Sequence, residues 1–187
     1  MKKVKLGISV GDINGIGLEV IIKTFKDNRM MDICTPIVYG SSKVSTFHRK
    51  ALQIGDFSFN VIKSAKEANA KKANIIDCWN EAVDITFGQS TEMGGKYALA
   101  SLEAATEDLK NGAIDVLVTA PINKDNIQSE TFDFPGHTEY LTEKFEGESL
   151  MLMVNDNIKI GVATNHIPLS KVANTLTADT IFGKLKI

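Results

Sequence analysis

The chain has 187 residues, of which 43% are apolar and 24% charged, with a formal net charge of −2. That supplies enough apolar side chain for a buried core in one domain, or a domain and a half, and the mixed charge excludes the basic stripe expected of a nucleic-acid binder. No run approaches the ~18 consecutive apolar residues of a membrane span, and the start, MKKVKLGISVGDING, is apolar over too short a stretch for a signal peptide, so a cytoplasmic protein is expected.

In chain order, the β-branched run Val4–Val10 predicts a strand, followed by the segment GDINGIG at 11–17 and a helix over Leu18–Phe25. Ile33–Tyr39 reads as the next strand. Lys43–Leu52 reads as a helix whose His48, set among charges, is expected on the surface. Cys34 and Cys78 have no CxxC spacing and read as two thiols. Phe57–Ile62 and Asn74–Cys78 read as further strands. Met93–Lys110 is the longest helix, with Tyr97, Leu99, Ala100, Leu102, Ala104, Ala105 and Leu109 forming an apolar stripe and Glu103, Glu107 and Asp108 on the other side. Ile114–Thr119 is a strand ending at Ala120-Pro121, after which Lys124 is expected to open a helix.

Pro135 and Gly136 then force a turn before a helix over Thr138–Phe145. Leu150–Val154 and Ile158–Thr164 are joined by the polar VNDNIK, whose Asn and Asp residues favour a turn, so an antiparallel hairpin and a mixed sheet are expected. TLTADTIFGKLKI opens like a helix, with Thr177 as N-cap and Ile181 and Leu185 at i, i+4, and stops without a C-terminal signal. It reads as the front part of a longer protein, a short terminal helix being the alternative. Alternation of strand and helix implies an α/β architecture with a mixed, mostly parallel sheet flanked by helices.

A dinucleotide fingerprint is G-x-G-x-x-G, whereas Gly11, Gly15 and Gly17 give G-x-x-x-G-x-G, and no Lys-Ser/Thr pair follows to make a P-loop. What remains is a strand-to-helix turn that either serves as a turn alone or lines a ligand site at the carboxyl end of a strand. Two histidines are candidates for chemistry. His137, at a helix start where backbone amides attract anions, is either a ligand contact or part of a capping turn. His166 follows a strand and precedes IPLS, which suits a metal ligand or general base, although no second histidine stands at ligand spacing. Lys124, near a strand terminus, is either an anion contact or a solvated side chain.

GDINGIGLE, VTAPINK, FPGHTEYL and ATNHIPL, in this order and at these separations, resemble the 4-hydroxythreonine-4-phosphate dehydrogenase family of vitamin B6 biosynthesis, along essentially the whole chain. The family often has Pro where Ile13 and Leu18 stand here. The resemblance implies a fold like isocitrate and isopropylmalate dehydrogenases, truncated at the C-terminus, with a first α/β domain over 1–127 and the start of a second, dimerisation and metal-site domain over 128–187. It implies NAD-dependent oxidation of 4-phosphooxy-L-threonine and decarboxylation to 3-amino-2-oxopropyl phosphate, aided by a divalent metal (Zn, Mg or Co), in a homodimer. Carried over by motif, His137 and Thr138 contact substrate and His166 ligates the metal; no catalytic or NAD-binding residue is assigned. The family's NPHAGE-like and YHDQG-like segments, which bring two further histidines, are absent here, so an inactive and self-associating piece is expected. Two alternatives stand beside this reading: a phospho-D-threonate or erythronate dehydrogenase of the same family, and a non-catalytic anion-binding α/β module.

Overall fold

The structure, a computed structural model, describes residues 3–187. Strands β1 (Val4–Ser9), β2 (Cys34–Gly40), β3 (Asn60–Ile62), β4 (Asn74–Asp77) and β5 (Val116–Thr119) form a five-stranded sheet in the order β3-β4-β2-β1-β5. Every pairing in it is parallel. Parallel neighbours need crossovers, and helices supply them. α1 (Gly17–Phe25) and the single turn α2 (Met30–Ile33) lead from β1 to β2, α3 (Ser42–Ala51) leads toward β3, and α4 (Glu92–Lys110) carries the chain from β4 across to β5.

Alternation along β2 sorts the core into two layers. Val38 packs with Ile8, Ile75 and the inward residues of α1 and α3, among them Leu18, Ile21, Phe25 and Val44. Ile37 and Tyr39 point the other way, into a layer with Ala105 of α4, Ile114 and Leu117. With helices on both faces, all seven residues of β2 are buried, the polar Thr35 among them. Ser101, fully buried in α4, ties the layers together: its hydroxyl accepts from the Val10 amide at 2.9 Å and donates to the Tyr39 carbonyl.

The chain divides into two compact units, Met1–His137 and Thr138–Ile187. The second holds most of α5 (His137–Lys144), strands β6 (Leu152–Val154) and β7 (Lys159–Gly161), α6 (Leu169–Thr175) and α7 (Ala178–Lys186). β6 and β7 pair antiparallel through a turn in which the Asn155 side chain accepts from the amides of Asn157 and Ile158. The expected hairpin is thus present, but among the described residues it is a ladder of its own and the main sheet is wholly parallel. Thr177 caps α7 and forms a reciprocal capping box with Thr180. No residue of β6, β7, α6 or α7 is buried.

Three expectations need correction. Residues after Lys124 form a turn, not a helix, because the Asn123 side chain accepts from the amides of Asp125 and Asn126. Asp108 does not face open water: it accepts a hydrogen bond from the Tyr39 hydroxyl at 2.6 Å. His48 is buried at 2% exposure, since it follows Val44 by four residues and so lies on the inward face of α3. Both cysteines are free thiols, and burial, with Asp77 and Asp108 nearby, pushes Cys78 up to about 12. Among the described residues no helix is long and apolar enough to cross a membrane.

Candidate functional site

The chain leaves β1 toward β2 through α1, whereas the crossover through α4 returns it to the opposite side of β1, at β5. Strand order therefore reverses between β1 and β5, and the loops beyond their carboxyl ends leave a crevice where open α/β sheets bind ligands. A cavity of about 310 Å³ lies there, lined by Asp12, Asn14 and Ile16 after β1 and by Pro121, Ile122 and Asn123 after β5.

The glycine loop is built for packing. Gly11 has φ +66°, a conformation open to glycine, and a side chain there would strike the Pro121 carbonyl; one at Gly17 would strike the Val10 carbonyl. The glycines thus bring chain against chain, and the loop does not fit a cradle for a dinucleotide pyrophosphate. Its polar residues hold the rim. Asp12, buried, accepts from the Asn14 amide at 2.8 Å and from the Asn126 side chain at 2.9 Å, which ties the β1 loop to the β5 loop. Asn14, 2% exposed, accepts from the Thr86 amide and donates to Thr91 at 2.8 Å each, while its own carbonyl accepts from Gly88. Thr91 in turn caps α4 through the Gly94 amide. The buried His48 closes the back of the loop, its Nε2 donating to the Ile13 carbonyl at 2.8 Å. Neither Asn14 nor His48 stood out as a site residue in the sequence; the signals available were an Asn between two glycines and the i, i+4 relation of Val44 and His48.

His137 opens α5, and its ring is half-buried with an Nε2 that has no hydrogen-bond partner. Burial, then the positive charge of Lys124, holds it below the ordinary histidine value, so the ring is neutral near pH 7. The approach to it is anchored by Phe132, fully buried and packed edge-on against Phe134. Gln128 joins the two segments that carry Lys124 and His137: its amide donates to the Lys124 carbonyl at 3.0 Å and to the Phe134 carbonyl at 2.9 Å. Thr138 is exposed in the first turn of α5, where backbone amides lack intrahelical acceptors.

His166 lies in the second unit, exposed, between β7 and α6. Its φ is +56°. Among the described residues the other two non-glycine positions with positive φ, Gln53 and Glu146, come just after the ends of α3 and α5, where left-handed residues commonly terminate helices. His166 ends no helix; it sits in a bend two residues before Pro168, the N-cap of α6. Among the described residues no three His, Cys, Asp or Glu side chains gather as a metal site. His166 presents an exposed imidazole, and among the described residues no further ligand set gathers with it.

Residues 32–187 match the family model described as pyridoxal phosphate biosynthetic protein PdxA. The chain is 45% identical over 187 residues to a 4-hydroxythreonine-4-phosphate dehydrogenase of Bacteroides thetaiotaomicron, a match covering 99% of this chain and 51% of that protein. It is 28% identical to a protein of Fusobacterium nucleatum provisionally named D-threonate 4-phosphate dehydrogenase, covering 96% of this chain and 55% of that one. The crystal structure of a 4-hydroxythreonine-4-phosphate dehydrogenase from Burkholderia phymatum superposes on all of this chain and 57% of its own length, with a TM-score of 0.90 at 25% identity. The chain spans about half the length of the curated relatives it matches.

Proposed function

Since the chain belongs to the family of pyridoxal phosphate biosynthetic protein PdxA, we propose that it takes part in the NAD-dependent oxidation and decarboxylation of 4-phosphooxy-L-threonine to 3-amino-2-oxopropyl phosphate. The observation that carries this reading is the 45% identity, along the whole chain, to a relative named for that substrate, against 28% to one named for threonate 4-phosphate. Phospho-D-threonate is the second reading, favoured by the presence of such relatives among the matches.

His137 and Thr138 are the substrate contacts in this proposal. A neutral His137 with an unpaired Nε2 offers a hydrogen bond without the cost of burying a cation near the exposed Lys124. The tie from Asp12 to Asn126 keeps the loop behind Lys124 in place, and Gln128 fixes that loop to the turn before His137. NAD would supply the hydride acceptor for the secondary alcohol; its binding residues are not assigned to any side chain described above. His166 is proposed as a donor to a divalent ion of the Zn, Mg or Co class. Among the described residues no group of three ligating side chains completes that site. The proposal places the protein in the cytoplasm and pairs it with a second copy as a homodimer.

The assay is direct. The 187-residue protein is incubated with NAD, Mg2+ or Zn2+ and 4-phosphooxy-L-threonine while NADH absorbance is followed, and substrate binding is measured by calorimetry. We expect binding without turnover, with 4-phosphooxy-L-threonine held more tightly than D-threonate 4-phosphate. NADH formation would overturn the proposed inactivity. Tighter binding of the threonate would move the assignment to the second reading, and binding of neither would overturn both.

A further inference from the structure

Lys124 is exposed and, among the described residues, forms no ion pair and no side-chain hydrogen bond. An exposed lysine with no carboxylate partner is common, but this one is braced from two sides. Its turn is held by Asn123, whose side chain accepts from Asp125 and Asn126, and Asn126 is bound in turn to the buried Asp12. Its carbonyl accepts from Gln128, which donates also to Phe134, three residues before His137. The segment that carries the Lys124 ammonium is thus held against the one that carries the His137 ring, whose Nε2 has no partner and is screened from water. An unpaired, shielded nitrogen is costly, and such a group in a folded protein calls for an account, a bound ion being one. A cation beside a neutral ring lacks one thing that would satisfy both: an anion that takes one charge-assisted bond and one neutral bond.

We infer that Lys124 and His137 together hold the oxyanion of the substrate, either its phosphoester or its carboxylate, with Lys124 supplying the charge and His137 the second hydrogen bond. The inference rests on the reading of His137 as a substrate contact and adds a residue that no family motif above assigned to the substrate. Gln128 is the positioning residue that holds the two carrying segments together.

The chain has three histidines, so their ring signals can be followed separately by NMR. Inorganic phosphate is titrated into the whole 187-residue protein, acetate in a parallel arm, with Lys124→Met and the exposed control Lys110→Met alongside. One or both anions should move the His137 ring signal, and Lys124→Met should weaken that response roughly tenfold or more, as expected for losing one charge-assisted bond. Lys110→Met should leave it unchanged. A response to one anion alone identifies which end of the substrate is held, and a response to both shows a site open to either oxyanion. Because Lys124 makes no side-chain bond, its removal leaves the packing intact. An equal response in wild type and Lys124→Met, or an equal loss in the Lys110→Met control, overturns the role of Lys124 while the His137 contact stands. If neither anion moves His137 in the wild type, the His137 reading falls and this inference falls with it.

Discussion

His48 has Arg49 and Lys50 beside it in sequence, yet Val44, one helical turn earlier, sets its direction. Burial lowers its pKa from an ordinary 6.5, opposed by the bond to the Ile13 carbonyl and by Glu19. His137 is shifted the same way, by burial and Lys124. The folded rings therefore resist protonation, and below about pH 6.5 the unfolded chain binds more protons than the folded one. Stability present above that pH is lost as the pH falls through the window toward the lowered folded values. His48→Gln keeps a donor for Ile13 and removes one of the two titrations. Urea unfolding between pH about 7.5 and about 5 should show a shallower decline in the variant; an unchanged slope would refute the assignment. The turn before His137 was legible from Pro135 and Gly136, and the place of His166 after a strand from the apolar run Ile158–Thr164. The left-handed backbone of His166 was not, since no local residue type demands it. The hub role of Asn14 was not legible either, because its partners Thr86 and Thr91 lie 72 and 77 residues away.

At the scale of elements, periodicity located the centres of the strands and of every helix longer than two turns, and tertiary pairing set the ends. Phe57–Phe59 has a strand's composition, but its two rings pack edge-on against each other and the ladder begins at Asn60, where a side chain reaches Asn74. α6 was not foreseen; Pro168 at its N-cap was the available signal. Lys124 was misplaced on a helix because the capping power of Asn123 closes a turn instead. Two helical glycines show how context decides an otherwise identical change. In α4, a Cβ at Gly95 would overlap the backbone carbonyl of Asn126, and neither backbone can yield easily. In α7, a Cβ at Gly183 would meet nothing within 4 Å. Gly95→Ala should therefore destabilise by about 1–3 kcal/mol despite its better helix propensity, since overpacking outweighs it. Gly183→Ala should raise the stability of α7 by up to about 1 kcal/mol. Denaturation of both variants, followed by helical circular dichroism, checks the pair, and a neutral Gly95→Ala would show that α4 does not press on the β5 loop as described.

Over the whole molecule, the alternation of elements announced a parallel α/β sheet, but strand order did not follow from it. The crossover from β4 to β5 spans 38 intervening residues, Cys78 to Asp115, and local pattern cannot say on which side of β1 it lands. That landing produces both the crevice and an edge. β5 pairs with β1 and, among the described residues, with no other strand, and its Val116 and Val118 are 40% and 47% exposed while Leu117 packs inward. In the second unit, Met153 and Ile160 stand opposite each other across the hairpin at 55% and 52% exposure. A unit of that size buries too little apolar surface to cover such side chains by itself. Unpaired strand edges and uncovered apolar pairs promote association unless charge blocks them. Sedimentation should therefore show association that grows with concentration. Val116→Lys with Val118→Lys tests the sheet edge, and Met153→Lys with Ile160→Lys tests the hairpin. Whichever pair returns the protein to monomer marks the surface responsible, because a lysine on either face must be desolvated for a second copy to dock there. A wild-type chain that stays monomeric at every concentration would mean that these apolar side chains are covered in solution, contrary to the exposure found here.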